Sequence, residues 1–394
     1  MEMSDTPVSL SRNSLATMSC VTRSSDFRRL QHDWRQLHGS LNHTTPFNSW
    51  EWLFSWWQAY GEGKELRICE WRSGGALVGI APLCLVHESV GIGPKYKVIR
   101  FIGDGSHDSD YLDFIILPEF FSVAISQFTQ WLQENTEWDA IVFREMREVS
   151  ALPNALRKIA YELDLLLRFE FGRAFIVPLP SSFNEFLQAR QPRFRTKIRS
   201  SFRKFGHSGD VVFEDDFCNR DLRRRLYSLF TLHQKRWHHA NLPGVFGERA
   251  KRLFYMHFVP RFARNGWLRL YSLRGKDGYL AHQLCFGSDG TTYLLQEGFD
   301  IVDAAASYGQ FLRAAVMRYL IEKGERYYDF LSGYSKHKLD WGGQENKTIH
   351  CILSHKRRGR FYFRIPIWRD RLGSLLRRCL PESLYEMLRR FFPG

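Results

Sequence analysis

Hydrophobic positions recur along the first half of the chain at spacings that predict a fixed order of helices and strands. The stretch 46–61 carries apolar residues at helical spacing, with Asn48 or Ser49 available as N-cap and Gly61 at its end. Apolar runs and turn residues then predict a hairpin over 65–86, strands over 97–103 and 111–117, a helix over 119–135 and a strand over 138–146.

The second half of the chain repeats this order. Periodicity predicts helices over 224–240 and 250–266, a hairpin over 267–287, a strand over 291–300, a helix over 309–324 and a strand over 327–331. Few residues are identical between the halves, so the repeat is inferred from the order of the predicted helices and strands. A mixed sheet with a helix crossing between strands is an α/β (α+β mixed-sheet) arrangement, here predicted twice.

Length and composition agree with a folded protein of two domains. The chain has 394 residues, of which 44% are hydrophobic and 25% charged. Its seven cysteines are widely spaced, which excludes Cys-x-x-Cys pairs and favours free thiols in a reducing cytoplasm. We find no signal-peptide pattern, and the longest apolar run, 76–86, is too short to span a bilayer. A cytoplasmic protein is therefore expected.

Positive charge is concentrated at the C-terminus. Residues 356–394 hold eleven Lys/Arg against three Asp/Glu, which is +8 of the total +14. The remainder is only mildly basic, which argues against nucleic acid as the partner. Leucine spacing on either side of Pro381 predicts a basic amphipathic tail of two short helices. Its apolar face could dock on the core, or the tail could contact an anionic inner membrane.

The remaining boundaries follow from composition. Residues 1–25 are rich in Ser and Thr and are predicted to be disordered. An N-terminal domain is expected over 26–180, a basic linker helix over 181–206 and a C-terminal domain over 207–355. The linker has seven basic residues between 190 and 205, opposite an apolar face, and a solvated face is favoured over a polyanion-binding face.

The stretch "YYDFLSGYSKHKLDWGG" (327–343) combines a buried strand with a polar loop. Asp329 interrupts an otherwise apolar strand, and Ser332-Gly333-Tyr334 ends it. Two interpretations compete at this point. The first is a strand end followed by a solvated loop, and the second is the edge of an active site.

Several motifs occur in an order that resembles a known family: "PFNSWEWLFSWWQAYG", "LVGIAPLCL", "SDYLDF", "RFRTKIRSSFRKF", "LHQKRW", "EGFD", "YYDFLSG" and "KLDWGG". Between Pro46 and Gly343 the chain resembles the bacterial acetyltransferases of cellulose and exopolysaccharide biosynthesis (CelD/BcsL type). That family is a branch of the GNAT acyltransferases and is related to the tandem-domain Fem aminoacyl transferases. The resemblance implies tandem GNAT-like acyl-CoA N-acyltransferase domains.

The resemblance also implies a position for the acyl donor. In GNAT enzymes acyl-CoA lies in a gap between two splayed parallel strands, and its pyrophosphate binds where a loop enters the next helix. The matching residues here are Ser307, Tyr308, Gly309 and Gln310. The usual GNAT signature is reduced to Gly309. Acetyl-CoA is thus the expected donor, while another acyl carrier or a degenerate site stays open.

Acyl transfer needs a group that removes the proton of the nucleophile. Glu297 and Asp329 are the two candidates, because both lie on strands predicted to face the gap. Burial would raise the pKa of Asp329 and make it a usable base. Alternatively, Asp329 caps the turn at Ser332 or Gly333, and Glu297 pairs with an arginine.

The remaining site residues follow from the same stretch. Tyr334, Lys338 and Trp341 are predicted to line the rim and to bind the substrate. No histidine, cysteine or aspartate spacing fits a zinc or calcium site, so no metal is expected. The expected activity is transfer of acetyl to an amine or hydroxyl of a sugar or polysaccharide precursor. The alternatives are a non-catalytic partner of an exopolysaccharide synthase and a Fem-like transferase that uses aminoacyl-tRNA.

Overall fold

The computed structural model of this chain describes residues 16–42, 44–89, 95–206, 211–215, 219–239, 244–301, 307–360 and 363. The strands among them are β1 (Thr17–Val21), β2 (Glu65–Leu66), β3 (Ile68–Ser73), β4 (Ala76–Ala81), β5 (Leu83–Ser89), β6 (Lys95–Phe101), β7 (Ile115–Ile116), β8 (Ala140–Arg147), β9 (Leu166–Pro178), β10 (Val212–Glu214), β11 (Leu268–Gly275), β12 (Gly278–Ser288), β13 (Thr291–Phe299), β14 (Tyr327–Ser332) and β15 (Gln344–Ser354).

The helices are α1 (Ser24–Arg29), α2 (Gln31–Ser40), α3 (Trp50–Tyr60), α4 (Phe121–Glu134), α5 (Leu152–Glu162), α6 (Phe183–Gln188), α7 (Pro192–Phe205), α8 (Asn219–His239), α9 (Arg249–Arg264), α10 (Tyr308–Glu322) and α11 (Lys336–Asp340). Single 3-10 turns precede α3 and α4, at Pro46–Asn48 and Pro118–Phe120.

One mixed sheet of eleven strands runs through both halves, in the order β10-β11-β12-β13-β14-β9-β15-β8-β6-β5-β2. Its parallel neighbours are β13 with β14 and β6 with β8, and the other neighbours are antiparallel. The same pattern of pairing therefore occurs once on each side of β9 and β15. This confirms the predicted α/β mixed-sheet fold, with the same order of pairing present in both halves.

The two central strands are exchanged between the halves. β9 follows the first half in the chain, yet it pairs with β14 of the second half. β15 follows the second half, yet it pairs with β8 of the first. β9 and β15 also pair with each other along their length, from Leu166↔Ser354 to Ile176↔Gln344. The strand that ends near the expected boundary at 180 therefore pairs with the second half, and the strand that ends near the expected boundary at 355 pairs with the first half.

Helix α3 forms a large part of the contact between the halves. Ser49 caps it by accepting a hydrogen bond from the backbone N–H of Trp52 at 3.3 Å, and Gly61 is its C-cap, as the sequence predicts. Trp52 is fully buried, and its ring lies 4.8 Å from both Phe254 and Phe258 of α9. Trp52 of α3 is therefore part of the core that joins the halves.

A buried ion pair joins the loop after β6 to α9. Lys251 Nζ lies 2.6 Å from Asp108 Oδ2 and donates to the carbonyl of Ser106 at 2.7 Å. The hydroxyl of Tyr255 donates to Asp108 Oδ1 at 2.8 Å. Losing one partner of such a pair leaves an uncompensated buried charge. The acidic loop 104–110 thus links the first half to the second, and no group of metal-ligand residues is found among the described residues.

Two predicted elements are wrong where the structure describes them. Disorder over 1–25 is wrong for its second part, because Thr17–Val21 pairs with β3 as β1 and α1 begins at Ser24. The strand predicted over 111–117 shrinks to Ile115–Ile116, because Tyr111 has a left-handed φ of 58°. Residues 1–15 lie outside the described part.

Two further predictions need refinement. The linker over 181–206 is two helices, α6 and α7, because Pro192 begins a new helix after Gln191. The hairpin predicted over 65–86 is divided between two sheets. β3 and β4 belong to a second sheet of four strands, in the order β1-β3-β4-β7, whereas β2 pairs with β5 in the eleven-stranded sheet. The division lies near Pro82, which has no N–H to donate to a neighbouring strand. The predicted tail over 356–394 lies outside the described residues, except for 356–360 and 363.

Candidate active site

The parallel strands β13 and β14 separate soon after they pair. Their pairing covers three residues of each strand, from Thr291↔Tyr327 to Tyr293↔Asp329. Beyond Tyr293 the ladder between β12 and β13 shifts register, so that Leu295 forms a bulge. A bulge bends a strand and turns its amides away from the regular ladder. The result is a gap between the carboxyl ends of β13 and β14.

Helix α10 begins beside this gap, at the segment predicted to hold the donor. Ser307 is its N-cap, with a left-handed φ of 49°, and its carbonyl accepts from the N–H groups of Gln310 and Phe311. The first N–H groups of a helix have no acceptor inside the helix and favour an anion. Residues 302–306, which precede this turn, lie outside the described part.

Gly309 allows a close approach at the start of α10. A Cβ atom added there would lie 2.5 Å from the ring of Phe299, the last residue of β13. A larger residue would therefore push the helix away from the strand. The structure places Ser307, Tyr308, Gly309 and Gln310 together at the helix start, a position that favours an anion.

Asp329 is buried on β14 and is held by three hydrogen-bond contacts. The hydroxyl of Tyr111 lies 3.0 Å from Oδ2 and 3.2 Å from Oδ1, and the N–H of Leu331 donates to Oδ1 at 2.7 Å. Burial raises the pKa of Asp329 to about 7, against the lowering effect of these donors. Near neutral pH this carboxyl can both hold and release a proton.

Asp110 and Lys338 lie next to Asp329 where β14 ends. Burial raises the pKa of Asp110 to about 6, although Ser332 donates hydrogen bonds to it. Lys338 Nζ donates to the carbonyls of Leu331 and Ser332, at 3.1 and 2.7 Å, and burial lowers its pKa. Two carboxyls and one ammonium therefore titrate close together in a desolvated place, an arrangement typical of functional sites.

Glu297 belongs to a different polar cluster, on the side of α10. Arg313 forms a two-point ion pair with it, in which Nε donates to Oε1 at 3.1 Å and a terminal nitrogen contacts Oε2. Gln283 Nε2 donates to Oε1 at 2.5 Å, and Tyr328 donates to Gln283 Oε1 at 3.2 Å. The alternative of an arginine partner is therefore what the structure shows for Glu297.

The two predicted bases lie on opposite faces of the sheet. Neighbouring residues of a strand point to opposite faces. Tyr328 contacts the Glu297 cluster, whereas Asp329, the next residue, contacts Tyr111 from the first half. The structure thus brings Asp329 together with Asp110 and Lys338, and separates it from Glu297.

Part of the second half of the chain matches a known protein family. Residues 192–339 match the acetyltransferase (GNAT) domain family. This segment contains α10, β13, β14 and every predicted catalytic and cofactor-binding residue. No curated protein matches the chain.

Solved structures show the same fold over most of the chain. The crystal structure of FemX superposes with a TM-score of 0.56 at 12% identity, covering 81% of this chain and 95% of that one. The C-terminal domain of a putative lysylphosphatidylglycerol synthetase from Agrobacterium fabrum gives 0.51 at 11%, covering 84% and 92%. L-PGS from Bacillus licheniformis gives 0.51 at 12%, covering 86% and 96%. At such identities these likenesses show a shared fold alone.

The predicted rim residues of the candidate site are only partly at the surface. Tyr334 is 65% exposed, as a rim residue should be. The rim position is wrong for Lys338 and Trp341, which are 9% and 3% exposed. Trp341 packs edge-on against Phe194 at 5.0 Å and lies under the guanidinium of Arg313 at 5.3 Å. Lys338 and Trp341 therefore support the segment after β14 from its buried side.

The candidate site also contains residues that the sequence alone did not point to. Tyr111 and Asp110 reach it from the first half, and their "SDYLDF" motif was the one available signal. His337 lies 5.9 Å from the ring of Phe330, and Ser335 Oγ is 2.7 Å from its Nδ1. Burial, followed by the charge of Arg313, lowers the pKa of His337. Its imidazole is therefore neutral at pH 7.

Proposed function

We propose that this protein is an acyltransferase that moves acetyl from acetyl-CoA directly to an amine or hydroxyl of a sugar or polysaccharide precursor, in a ternary complex. The observation that carries the proposal is the gap between β13 and β14 with α10 starting beside it. The GNAT domain match over residues 192–339 supports the same class of reaction. The cellulose-type family and the sugar acceptor come from the motif resemblance.

The donor would supply an activated thioester, whose C–S bond breaks so that CoA leaves as a thiolate and takes up a proton. The chain would supply positioning and proton transfer. Ser307, Tyr308, Gly309 and Gln310 would bind the phosphates through the helix start. The acceptor's proton would pass to Asp329, directly or through the hydroxyl of Tyr111, which already donates to it. Backbone N–H groups near the bulge at Leu295 would face the developing oxyanion. Tyr334 would contact the acceptor at the exposed edge.

Two other functions remain as alternatives to test. A non-catalytic partner of an exopolysaccharide synthase would have the fold without donor binding. An aminoacyl-tRNA-dependent transferase is favoured by helix α7, where Arg193, Lys197, Arg199 and Arg203 are exposed. None of these four has an ion-pair partner within the described residues. Salt-sensitive binding of tRNA would support this last alternative.

Titration of acetyl-CoA into the protein separates these functions. Wild type is expected to bind it, and Gly309→Trp is expected to lose binding because the new side chain displaces α10 from Phe299. Isothermal calorimetry measures both. Gly39→Trp is a matched control, since a Cβ atom added at that exposed helical position meets nothing within 4 Å. Absence of binding to any CoA ester in wild type would favour the non-catalytic partner.

We also propose that the basic tail attaches the protein to an anionic membrane surface. Within the described residues no helix is long and apolar enough to cross a membrane. Full-length protein should co-sediment with phosphatidylglycerol vesicles, less so as salt rises, because each arginine near the surface contributes about 1 kcal/mol of screened attraction. A version ending at Phe363 should sediment far less. Equal sedimentation of both proteins would contradict the proposal.

A further inference from the structure

A cavity lined by arginines lies between the two halves, away from the candidate active site. Its volume is about 270 Å³, and helices α1, α2 and α3 form one side while α9 forms the other. Four of its eight lining residues are arginines, and no carboxylate lines it. The arginines are Arg28, Arg35, Arg261 and Arg264. Like charges gather in one place at a cost unless something compensates them.

Protein groups compensate this charge only in part. Arg35 pairs with the buried Glu51, with 2.5 Å between Nε and Oε1. Arg261 donates to neutral acceptors, Ser55 Oγ at 2.6 Å and Gln58 Oε1 at 2.7 Å. Burial and the neighbouring Arg264 lower the pKa of Arg261. One carboxylate therefore serves four guanidinium groups.

The two other arginines have no ion pair among the described residues. Arg28 contacts the face of Phe54, with 5.8 Å from Cζ to the ring centroid. Arg264 Nε donates to the carbonyl of Pro260 at 3.2 Å. Each guanidinium has five N–H donors, so most of those on Arg28 and Arg264 remain available for a ligand.

Aromatic rings contact two of the four arginines, Arg28 and Arg261. Trp50 and Phe54 stack at 4.5 Å and form the floor of the cavity. Cζ of Arg261 lies 5.7 Å from the centroid of Trp50 and 5.5 Å from that of Phe54. Contacts of this kind orient a guanidinium without using up its N–H groups. The donors are therefore preorganised for an anion.

From these contacts we infer that the cavity is a binding site for a small phosphate-bearing anion, such as a phosphate ester or a pyrophosphate. Planar guanidinium groups match phosphate oxygens in pairs, and a multiply charged anion balances several of them at once. Arg28 and Arg35 belong to the first half, and Arg261 and Arg264 to the second. The bound anion would therefore stabilise the contact between α3 and α9.

Pyrophosphate is the probe for this site. Calorimetry and thermal unfolding would be run on the full-length protein with pyrophosphate, and with sodium chloride at equal ionic strength. Wild type should bind pyrophosphate and melt at a higher temperature in its presence. Arg28→Gln and Arg264→Gln should each raise the Kd roughly tenfold, the scale of one charge-assisted contact. Neither substitution removes a described ion pair, so both variants should fold.

Arg29→Gln is the matched control. Arg29 lies on α1 next to Arg28, its side chain is 82% exposed, and it pairs with Asp26 at 3.2 Å outside the cavity. This variant should bind pyrophosphate like wild type. The same comparison is repeated in a Gly309→Trp background, which removes binding at the helix start of the candidate active site and leaves the cavity intact. Unchanged affinity in both cavity variants, or a response to chloride equal to that to pyrophosphate, would overturn the inference.

Discussion

Replacing Asp329 by asparagine is expected to lower the rate of acyl transfer by roughly a hundredfold or more, the usual scale for losing general-base assistance. Affinity for acetyl-CoA should stay the same, because Asp329 faces Tyr111 rather than the start of α10. An amide keeps the size of the side chain and an oxygen acceptor for the N–H of Leu331, which now lies at 2.7 Å from Oδ1. Steady-state kinetics and calorimetry on the same preparations measure the two quantities.

The pH dependence gives an independent check of the same role. Since the pKa of Asp329 is raised to about 7, the wild-type rate should increase as pH rises through 7, and the residual rate of the variant should lack that step. Tyr111→Phe removes only the hydroxyl and should shift the midpoint upward, because that hydroxyl stabilises the carboxylate. An unchanged rate in the Asp329 variant would exclude this carboxyl as the base.

Stability separates a catalytic from a structural role. The pKa of Asp329 lies above its ordinary value of 3.8, so the folded state binds this proton more tightly than the unfolded chain. Its contribution to stability is therefore present below about pH 4 and is lost as pH rises towards 7. Asparagine removes this dependence, so the variant should melt no lower than wild type at pH 8. A much lower melting temperature there would make Asp329 structural.

The largest effect on stability is expected from a proline in β15. Cys351 is fully buried and pairs with Phe143 of β8 on one side and with Phe169 of β9 on the other. Cys351→Pro removes a ladder donor and distorts the strand that both halves share. We expect a loss on the order of 3–5 kcal/mol in the free energy of unfolding, in a single transition for the whole chain.

The control for this prediction keeps the backbone intact. Cys351→Ala leaves the ladder unchanged and should unfold in the same cooperative way as wild type, with a smaller loss from the removed side chain. Urea unfolding followed by tryptophan fluorescence and by circular dichroism measures both variants. If Cys351→Pro unfolded one half while the other kept its native transition, the exchanged strands would not couple the halves.

The local pattern of hydrophobic and capping residues was sufficient to predict the helices and strands that repeat in both halves. Helix α3 begins and ends at the residues that capping predicts, and β13, α10 and β14 lie within one or two residues of their predicted bounds. The sequence did not reveal β9 or β15. The first residues of β15, Gln344 to Lys347, are polar and exposed, so no alternation marks them. Their pairing is long-range and has no local signal.

The candidate active site could likewise be predicted only where its residues have a local signal in the sequence. Asp329 stands out because an acid in an apolar strand is unusual, and its buried position agrees with that expectation. Its partner Tyr111 is 218 positions away along the chain, which single-sequence reasoning cannot bridge. Glu297 and Asp329 looked equivalent as strand carboxylates, and the bulge at Leu295, which the sequence does not reveal, places them on opposite faces.

The exchange of β9 and β15 also sets the order in which the protein can mature on the ribosome. β8 ends at Arg147, and the strand that covers its edge begins at Gln344. At about 5–20 residues per second, synthesis delivers that strand some 10–40 s after β8 has emerged. During this interval the first half presents an unpaired strand edge, which is a template for aggregation. Chaperone protection of the nascent first half is therefore the expected requirement for good yield of this protein in any host.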